Sequence, residues 1–327
     1  MNYFVTQIRG IGFTLPDIYS VRTALNIAKG IKVSVNVNFF IGTILLIIGL
    51  VICYHISNEK QKEKKNTSSI VTHMNSLNYK TIGIHSWYKT GYSRGKIYKY
   101  LGFDKSLFKE EMNNLEYEIN EYSSDMSTYK YVIDELENKE KDKSIFEFVV
   151  TMQNHLPYIY QEDNGVQYVD NIYLNNYLQV QNKVDNALKY LIDYIDKYDE
   201  KTIVLFFGDH QPNLNLQDEY GIRSGIDEDE ANYIVQYFIT ANYDINLEGK
   251  EEISTNYLES LLMKNTNLKK DSYSLYMEEL NKEIPIITNQ YYIDKVGNKN
   301  EIDDKESKYY DKLQEYQKVV YYKLFDE

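Results

Sequence analysis

The stretch that decides the fold is residues 202–213, T-I-V-L-F-F-G-D-H-Q-P-N. Its apolar run, residues 203–207, stops at a glycine and suits a buried parallel strand better than a half-exposed one. Asp209 and His210 follow side by side where this strand would end. Ligands of open α/β sheets bind just outside the carboxyl ends of the strands, and a carboxylate with an imidazole can bind a divalent metal. The alternative is that the two side chains only cap the next turn.

Composition excludes one class of partner. The chain has 327 residues, enough for one large domain or two ordinary ones, and 43% of them are hydrophobic. The formal net charge of −13 argues against a nucleic-acid partner, because neutralising phosphates requires a basic face. The single Cys53 excludes an internal disulfide and leaves the redox compartment open.

A membrane segment is predicted before the main domain. Residues 39–54, F-F-I-G-T-I-L-L-I-I-G-L-V-I-C-Y, carry no charge, and a run of roughly 20 such residues matches a bilayer-spanning helix. A buried core helix is the alternative, and basic residues flank both ends in similar number, so charge does not orient the helix. The predicted organisation is a membrane-proximal amphipathic segment (1–36), a transmembrane helix (37–56), a charged linker (57–66) and an α/β domain (67–327).

The α/β domain is predicted from alternating strand and helix patterns. Residues 171–198 have an apolar stripe typical of a long amphipathic helix and lie between strand candidates at 145–151 and 203–207. This βαβ arrangement predicts a right-handed crossover in a mainly parallel sheet. Further strands are predicted at 80–84 and 233–240, and further helices at 68–77, 126–139, 256–263 and 308–324.

Three histidines stand at or just after predicted strand ends: His85, His155 and His210. Because parallel strands present their carboxyl ends at one edge, we expect these imidazoles to share a site. For any single histidine, a structural role is the alternative. Arg94 could hold an anion through paired hydrogen bonds, or it could be an ordinary surface arginine. The aromatic side chains near it either line the pocket or pack the loop: Trp87, Tyr88 and Tyr92.

Five ordered segments carry a family pattern. They are Y-K-T-I-G-I-H (79–85), Y-L-G-F-D (100–104), T-M-Q-N-H-L-P-Y (151–158), F-F-G-D-H-Q-P (206–212) and A-N-Y-D-I (241–245). Together they resemble the lipoteichoic acid synthase family of the sulfatase-like, alkaline-phosphatase-like superfamily. The resemblance runs from residue 67 to the C-terminus. It implies an α/β fold with a mainly parallel, alkaline-phosphatase/sulfatase-like sheet between helices, N-terminally incomplete and preceded by one transmembrane helix.

The resemblance also implies roles for individual residues. Asp209 and His210 match the family's metal-binding pair, His155 matches a substrate-binding histidine, and Arg94 matches an arginine that contacts the substrate phosphate. His85 matches a recurrent pocket histidine and is assigned to substrate binding. The implied cofactor is a divalent metal, Mn²⁺ or Mg²⁺.

The activity that the resemblance implies is transfer of phosphoglycerol or a related phosphoalcohol during cell-envelope polymer synthesis. The protein would be anchored in the cell membrane by a single pass, with its soluble domain on the extracellular face. Its partners would be a membrane lipid such as phosphatidylglycerol and a glycerol-phosphate-type polymer.

One family feature is absent from the sequence. The family places an acidic metal ligand and its nucleophilic threonine before the segment that here starts at residue 67, and no N-T-E-F-like motif occurs. No catalytic residue is therefore assigned, and activity stays open. The alternatives are an internally deleted, inactive copy that keeps part of the metal and substrate site, or completion of the site by a separate chain. A soluble phosphatase or sulfatase-like hydrolase is disfavoured by the uncharged run within residues 37–56.

Overall fold

The computed structural model describes residues 47–49, 51, 67–117, 122–158, 166–212, 233–245 and 252–325. The chain divides into two compact units, Met1–Lys65 and Asn66–Glu327. In the first unit, residues 47–49 and 51 are helical and exposed. No helix among the described ranges is long and apolar enough to cross a membrane. The predicted segments 1–36, 37–56 and 57–66 lie wholly or largely outside these ranges and stay predictions.

A three-stranded parallel sheet organises the second unit. Its strands are β1 (Lys80–His85), β2 (Lys105–Phe108) and β3 (Ile145–Val150), in the order β2-β1-β3. The central β1 is buried along all but its first residue, as expected for a strand covered on both faces. Its Gly83 allows close packing, because a Cβ there would lie 2.6 Å from the Tyr98 ring.

Four helices accompany this sheet: α1 (Ile70–Ser76), α2 (Arg94–Leu101), α3 (Asp125–Glu137) and α4 (Ile172–Ile195). The long α4 begins at Asn171, whose side chain accepts hydrogen bonds from the backbone N–H groups of Tyr173 and Leu174 at 3.1 Å, an N-cap that satisfies otherwise unpaired donors. The main core joins β1, β2, α3 and α4 through Ile82, Ile84, Leu107, Met112, Tyr129, Val132, Ile133, Ala187, Leu191 and Ile195.

The strand that carries the decisive stretch differs from expectation. β4 (Ile203–Phe207) pairs antiparallel with β5 (Tyr237–Ala241), and its residues are half-buried, with Phe207 exposed. The prediction of a buried parallel strand is wrong on both points, because β4 has a single hydrogen-bonded neighbour in the described residues and that neighbour runs the other way. Val149 of β3 and Val204 of β4 nevertheless pack on the same core, although β3 and β4 do not pair.

The C-terminal part forms its own small layer. It contains α5 (Leu258–Lys264), α6 (Ser272–Glu283), β6 (Ile286–Ile287), β7 (Tyr291–Ile293), β8 (Lys299–Glu301) and α7 (Tyr310–Phe325). The three short strands form an antiparallel sheet that was not predicted. A second core, built from Tyr257, Met277, Leu280, Ile284, Tyr292, Tyr309 and Leu313, holds this layer together.

Candidate functional site

His85 closes β1 at the carboxyl edge of the parallel sheet. Its side chain is 1% exposed, and its Nδ1 lies 3.1 Å from the carbonyl oxygen of Val150 at the end of β3. Since a carbonyl only accepts, Nδ1 carries the proton and Nε2 presents a lone pair. Nε2 is buried and has no hydrogen-bond partner among the described residues. Burial, assisted by the Arg94 charge and opposed by the Val150 bond, lowers the pKa of His85 to about 4.

Arg94 is the first residue of α2 and faces the same edge. Its Nε is buried without a hydrogen-bond partner in the described part of the chain, and its Cζ lies 5.7 Å from the Tyr92 ring centroid. Tyr92 and Ser93, immediately before it, have left-handed backbones with φ of 50° and 56°. Such conformations are costly for residues other than glycine and concentrate at functional sites. A permanent cation and a neutral imidazole acceptor therefore lie together at the strand ends.

The loop after β3 brings two further polar groups. Asn154 donates through Nδ2 to Gln181 on α4 at 2.6 Å, while its Oδ1 is buried without a partner in the described structure. His155 is half-buried, and its ring meets the Tyr122 ring edge-on with centroids 5.1 Å apart. Because β1 and β3 are adjacent and parallel, His85 and His155 belong to the same sheet edge.

Asp209 and His210 follow β4, and both are exposed, at 78% and 68% of their side-chain surface. The Nδ1 of His210 lies 2.9 Å from the carbonyl oxygen of Gln211 and donates its proton to it. The Nε2 of His210 is 3.7 Å from an Asp209 carboxylate oxygen. Asp209 also acts on Tyr158, three residues beyond His155: burial, then Tyr177 and Asp209, raise the pKa of Tyr158 to about 12. Asp209 is thus close enough to act electrostatically on the segment that follows β3.

The metal predicted at Asp209 and His210 can be tested against the donors present. A carboxylate and an imidazole oriented by a carbonyl are suitable ligands. However, the described residues contain no group of three or more His, Cys, Asp or Glu side chains able to hold one ion. Protein sites of this kind need at least three ligands. The pair supplies an incomplete donor set, and we assign no chemical step to a metal.

Several residues at this edge were not predicted. Lys109, Tyr117 and Tyr122 come from segments without a recognisable motif. Lys109 and Tyr122 lie beside Trp87, and Tyr117 lies beside Lys109. Gln153 accepts a hydrogen bond from the backbone N–H of Asp125 at 2.8 Å and anchors the His155 loop to α3. The one available signal was the density of aromatic residues, which is spread over the whole chain.

Comparison with known proteins identifies the family to which this fold belongs. The Sulfatase family model matches residues 36–267. A Rhizobium meliloti (strain 1021) protein named for cyclic beta-1,2-glucan modification is 30% identical over 155 residues, 45% of this chain and 24% of that protein. The capsular polysaccharide biosynthesis protein RkpI of the same organism is 29% identical over 196 residues, 59% of this chain and 35% of RkpI. The chain thus spans about a quarter to a third of the length of these relatives.

Two solved structures share the fold. The lipoteichoic acid synthase LtaP from Listeria monocytogenes superimposes with a TM-score of 0.61 at 20% identity, covering 81% of this chain and 76% of LtaP. The Streptococcus pyogenes phosphoglycerol transferase GacH, solved with sn-glycerol-1-phosphate, gives 0.57 at 22% identity, covering 75% of this chain and 61% of GacH. The chain belongs to the sulfatase family and has the α/β alkaline-phosphatase-like fold of these two proteins.

Proposed function

We propose that this chain binds a phosphoglycerol-type group and takes part in its transfer during synthesis of a cell-envelope glycan. The observation that carries the proposal is a pair of buried nitrogens at one edge of the sheet, Arg94 Nε and His85 Nε2, neither of which has a hydrogen-bond partner among the described residues. Buried polar atoms without partners are uncommon in folded proteins and often mark a ligand site. Support comes also from the fold neighbours, a lipoteichoic acid synthase and a phosphoglycerol transferase.

The two nitrogens suit complementary parts of such a ligand. Arg94 is always charged and can donate paired hydrogen bonds to phosphate oxygens. His85 is uncharged at neutral pH and offers a lone pair, so it suits the hydroxyl of an alcohol rather than an anionic oxygen. His155, at the end of the neighbouring strand, would complete the substrate side of the site.

Three further features belong to the proposal. Asp209 and His210 would supply two ligands to a divalent ion, Mn²⁺ or Mg²⁺. Residues 37–56 would anchor the protein in the cell membrane, with the second unit on the extracellular face. The phosphoglycerol donor would be a membrane lipid such as phosphatidylglycerol, and the acceptor a glycerol-phosphate-type polymer or the glycan that carries it.

The test measures metal content and turnover of the purified full chain. An active transferase would show bound manganese and release of diacylglycerol from a fluorescent phosphatidylglycerol analogue, with both reduced in Asp209→Ala. A control variant, Asp193→Ala, removes an exposed carboxylate on α4 and should change neither. If the wild-type chain binds no manganese and shows no turnover, the proposal that it is an active transferase is wrong.

An inactive copy that keeps only ligand binding is the second candidate. It is favoured by the two-residue donor set at the end of β4 and by the missing nucleophile motif. In that case sn-glycerol 1-phosphate should still bind, measured by calorimetry, while turnover is absent. Turnover that appears only after a second protein carrying the missing threonine and acidic residue is added would favour completion of the site by a separate chain.

A further inference from the structure

Lys109 is surrounded by aromatic rings. Its Nζ lies 4.6 Å from the ring centroids of Trp87 and Tyr88 and 4.9 Å from that of Tyr117. No carboxylate forms an ion pair with Lys109 within the described ranges. Tyr88 and Tyr117 are 44% and 46% exposed. We call these four residues the aromatic patch.

The aromatic patch is held in place by the sheet. The backbone N–H of Lys109 donates to the carbonyl of Trp87 at 3.1 Å, just beyond the paired ends of β1 and β2. The Tyr88 and Trp87 rings meet edge-on with centroids 5.0 Å apart. This arrangement needs no ligand to form, which lowers the entropy cost of binding one.

The aromatic patch is continuous with the proposed phosphate site. The Trp87 ring centroid is 4.7 Å from that of Tyr122, and Tyr122 in turn contacts His155 at 5.1 Å. The Tyr122 hydroxyl donates to the carbonyl of Leu156 at 3.1 Å, which fixes the ring against the His155 loop. A molecule on the aromatic patch would therefore present its near end to His155.

The chemistry of the aromatic patch selects a saccharide. Lys109 lies over one face of these rings, and the exposed surface of Tyr88 and Tyr117 can pack against the polarised C–H groups on one face of a pyranose ring. The Lys109 ammonium already interacts with the side chains of Tyr117 and Tyr88, and the N–H groups that these leave over can donate to sugar hydroxyls. A lipid tail would have no use for the ammonium, and one cation in a chain of net charge −13 is poorly suited to a polyanion.

We propose that the aromatic patch is a subsite for a hexopyranose acceptor. This inference rests on the proposed function, because it identifies the molecule whose hydroxyl is directed towards His155 and the phosphoglycerol group. The aromatic patch does not include Arg94 or His85, so binding of a sugar and binding of the phosphoglycerol group can be tested separately.

The experiment uses Trp87, the only tryptophan of the chain, as a built-in reporter. Full-length protein is titrated with β-1,2-linked glucotriose and, separately, with methyl β-glucopyranoside, while tryptophan emission is recorded. We expect a saturable change with both sugars and none with glycerol. Lys109→Gln and Tyr88→Ala should weaken binding of the trisaccharide roughly tenfold, as expected for loss of one cation or one stacking ring.

Two controls keep the result interpretable. Tyr173→Ala removes an exposed tyrosine on α4 and should leave sugar affinity unchanged, and saturation-transfer NMR should detect contact between sugar protons and the protein without relying on fluorescence. Lack of any emission change and any saturation transfer with both sugars would overturn the proposal, as would equal affinity in Lys109→Gln and wild type. If sn-glycerol 1-phosphate still binds in that case, the saccharide subsite alone is refuted; if it does not, the proposed function fails as well.

Discussion

The Nδ1 of His85 lies 3.1 Å from the carbonyl oxygen of Val150, across the last pair of residues in the β1–β3 ladder. The bond fixes the ring, because the carbonyl can only accept and the proton must sit on Nδ1. The opposite nitrogen is then an acceptor in a buried position. The backbone of β3 thus determines which nitrogen of His85, at the end of β1, carries the proton.

This arrangement predicts a pH dependence of stability. The pKa of His85 falls from 6.5 to about 4 on folding, chiefly because of burial, so the unfolded chain binds more protons between these values and stability rises with pH. The contribution is complete above pH 6.5 and is lost as the pH falls towards 4. The shift corresponds to roughly 3 kcal/mol. Urea unfolding between pH 4 and 7 should show this slope.

The variant His85→Gln should lose that part of the slope while keeping a hydrogen-bonding side chain. His73→Gln is the matched control, because His73 lies on α1 and bonds to Lys269 instead; the slope due to His85 should remain there. If wild type and His85→Gln respond to pH in parallel, the imidazole is not buried in its neutral form.

The burial of Glu147 predicts that stability falls as the pH rises, the opposite of the effect of His85. It lies on β3 on the same face as Ile145 and Val149, which pack on the main core. Its Oε1 is sealed from solvent without a partner in the described structure. Burial, with repulsion from Glu135 added, raises the pKa of this carboxyl well above its usual 4.5 despite the Lys105 charge. The folded state therefore holds a proton that the unfolded state releases, and stability is lost as the pH rises above 4.5.

Glu147→Gln should therefore stabilise the protein at pH 7, because the neutral amide needs no proton taken up on folding. The gain should disappear near pH 4, where both states of the wild type are protonated. Chemical denaturation at the two pH values measures the difference. Glu140→Gln, at an exposed position, should have little effect at either pH, and a destabilised Glu147→Gln at pH 7 would contradict the assignment.

Arg94 should control affinity for phosphate. Loss of a charge-assisted hydrogen bond costs about 1.5–3 kcal/mol, so Arg94→Gln should bind sn-glycerol 1-phosphate roughly 10- to 100-fold more weakly in calorimetric titrations. Arg94→Lys keeps the charge but not the paired donors, so its affinity for sn-glycerol 1-phosphate should lie between those of the wild type and Arg94→Gln. Lys96→Gln removes an exposed charge on the same helix and should change affinity little. Comparable losses in Lys96→Gln and Arg94→Gln would point to a general charge effect instead of a site.

The sequence predicted the elements whose pattern is long or sharply ended. Residues 145–151 and 171–198 were expected as strand and helix, and β3 and α4 confirm both. The four residues of β2, K-S-L-F, complete too few alternations to be recognised. The direction of β5 was also beyond reach, because an apolar run has the same composition whichever way its neighbour runs.

The sequence singled out individual candidate residues of the site but not the residues that surround them. His85 and Arg94 were singled out, and the structure places both at the carboxyl edge of the sheet. The rings around Lys109 were not foreseen, because residues 87 and 88 meet residue 109 through the pairing of β1 with β2, and Tyr117 joins them from the chain that follows β2. That His85 Nε2 is buried without a partner among the described residues likewise depends on three-dimensional packing and could not be predicted from the sequence.

The second edges of β3 and β4 suggest a test for self-association. In the described residues β3 pairs with β1 and β4 with β5; if no other part of the chain pairs with their second edges, the backbone N–H and C=O groups there can pair with another molecule. Such edges pair readily with other chains unless a charge interrupts them. We expect concentration-dependent oligomers of the wild type in sedimentation velocity, and fewer of them in Phe207→Lys, which adds a charge at the exposed end of β4. Tyr173→Lys adds the same charge on the exposed face of α4 and should not reduce association. A wild type that stays monomeric at high concentration would mean that these edges are covered within the chain itself.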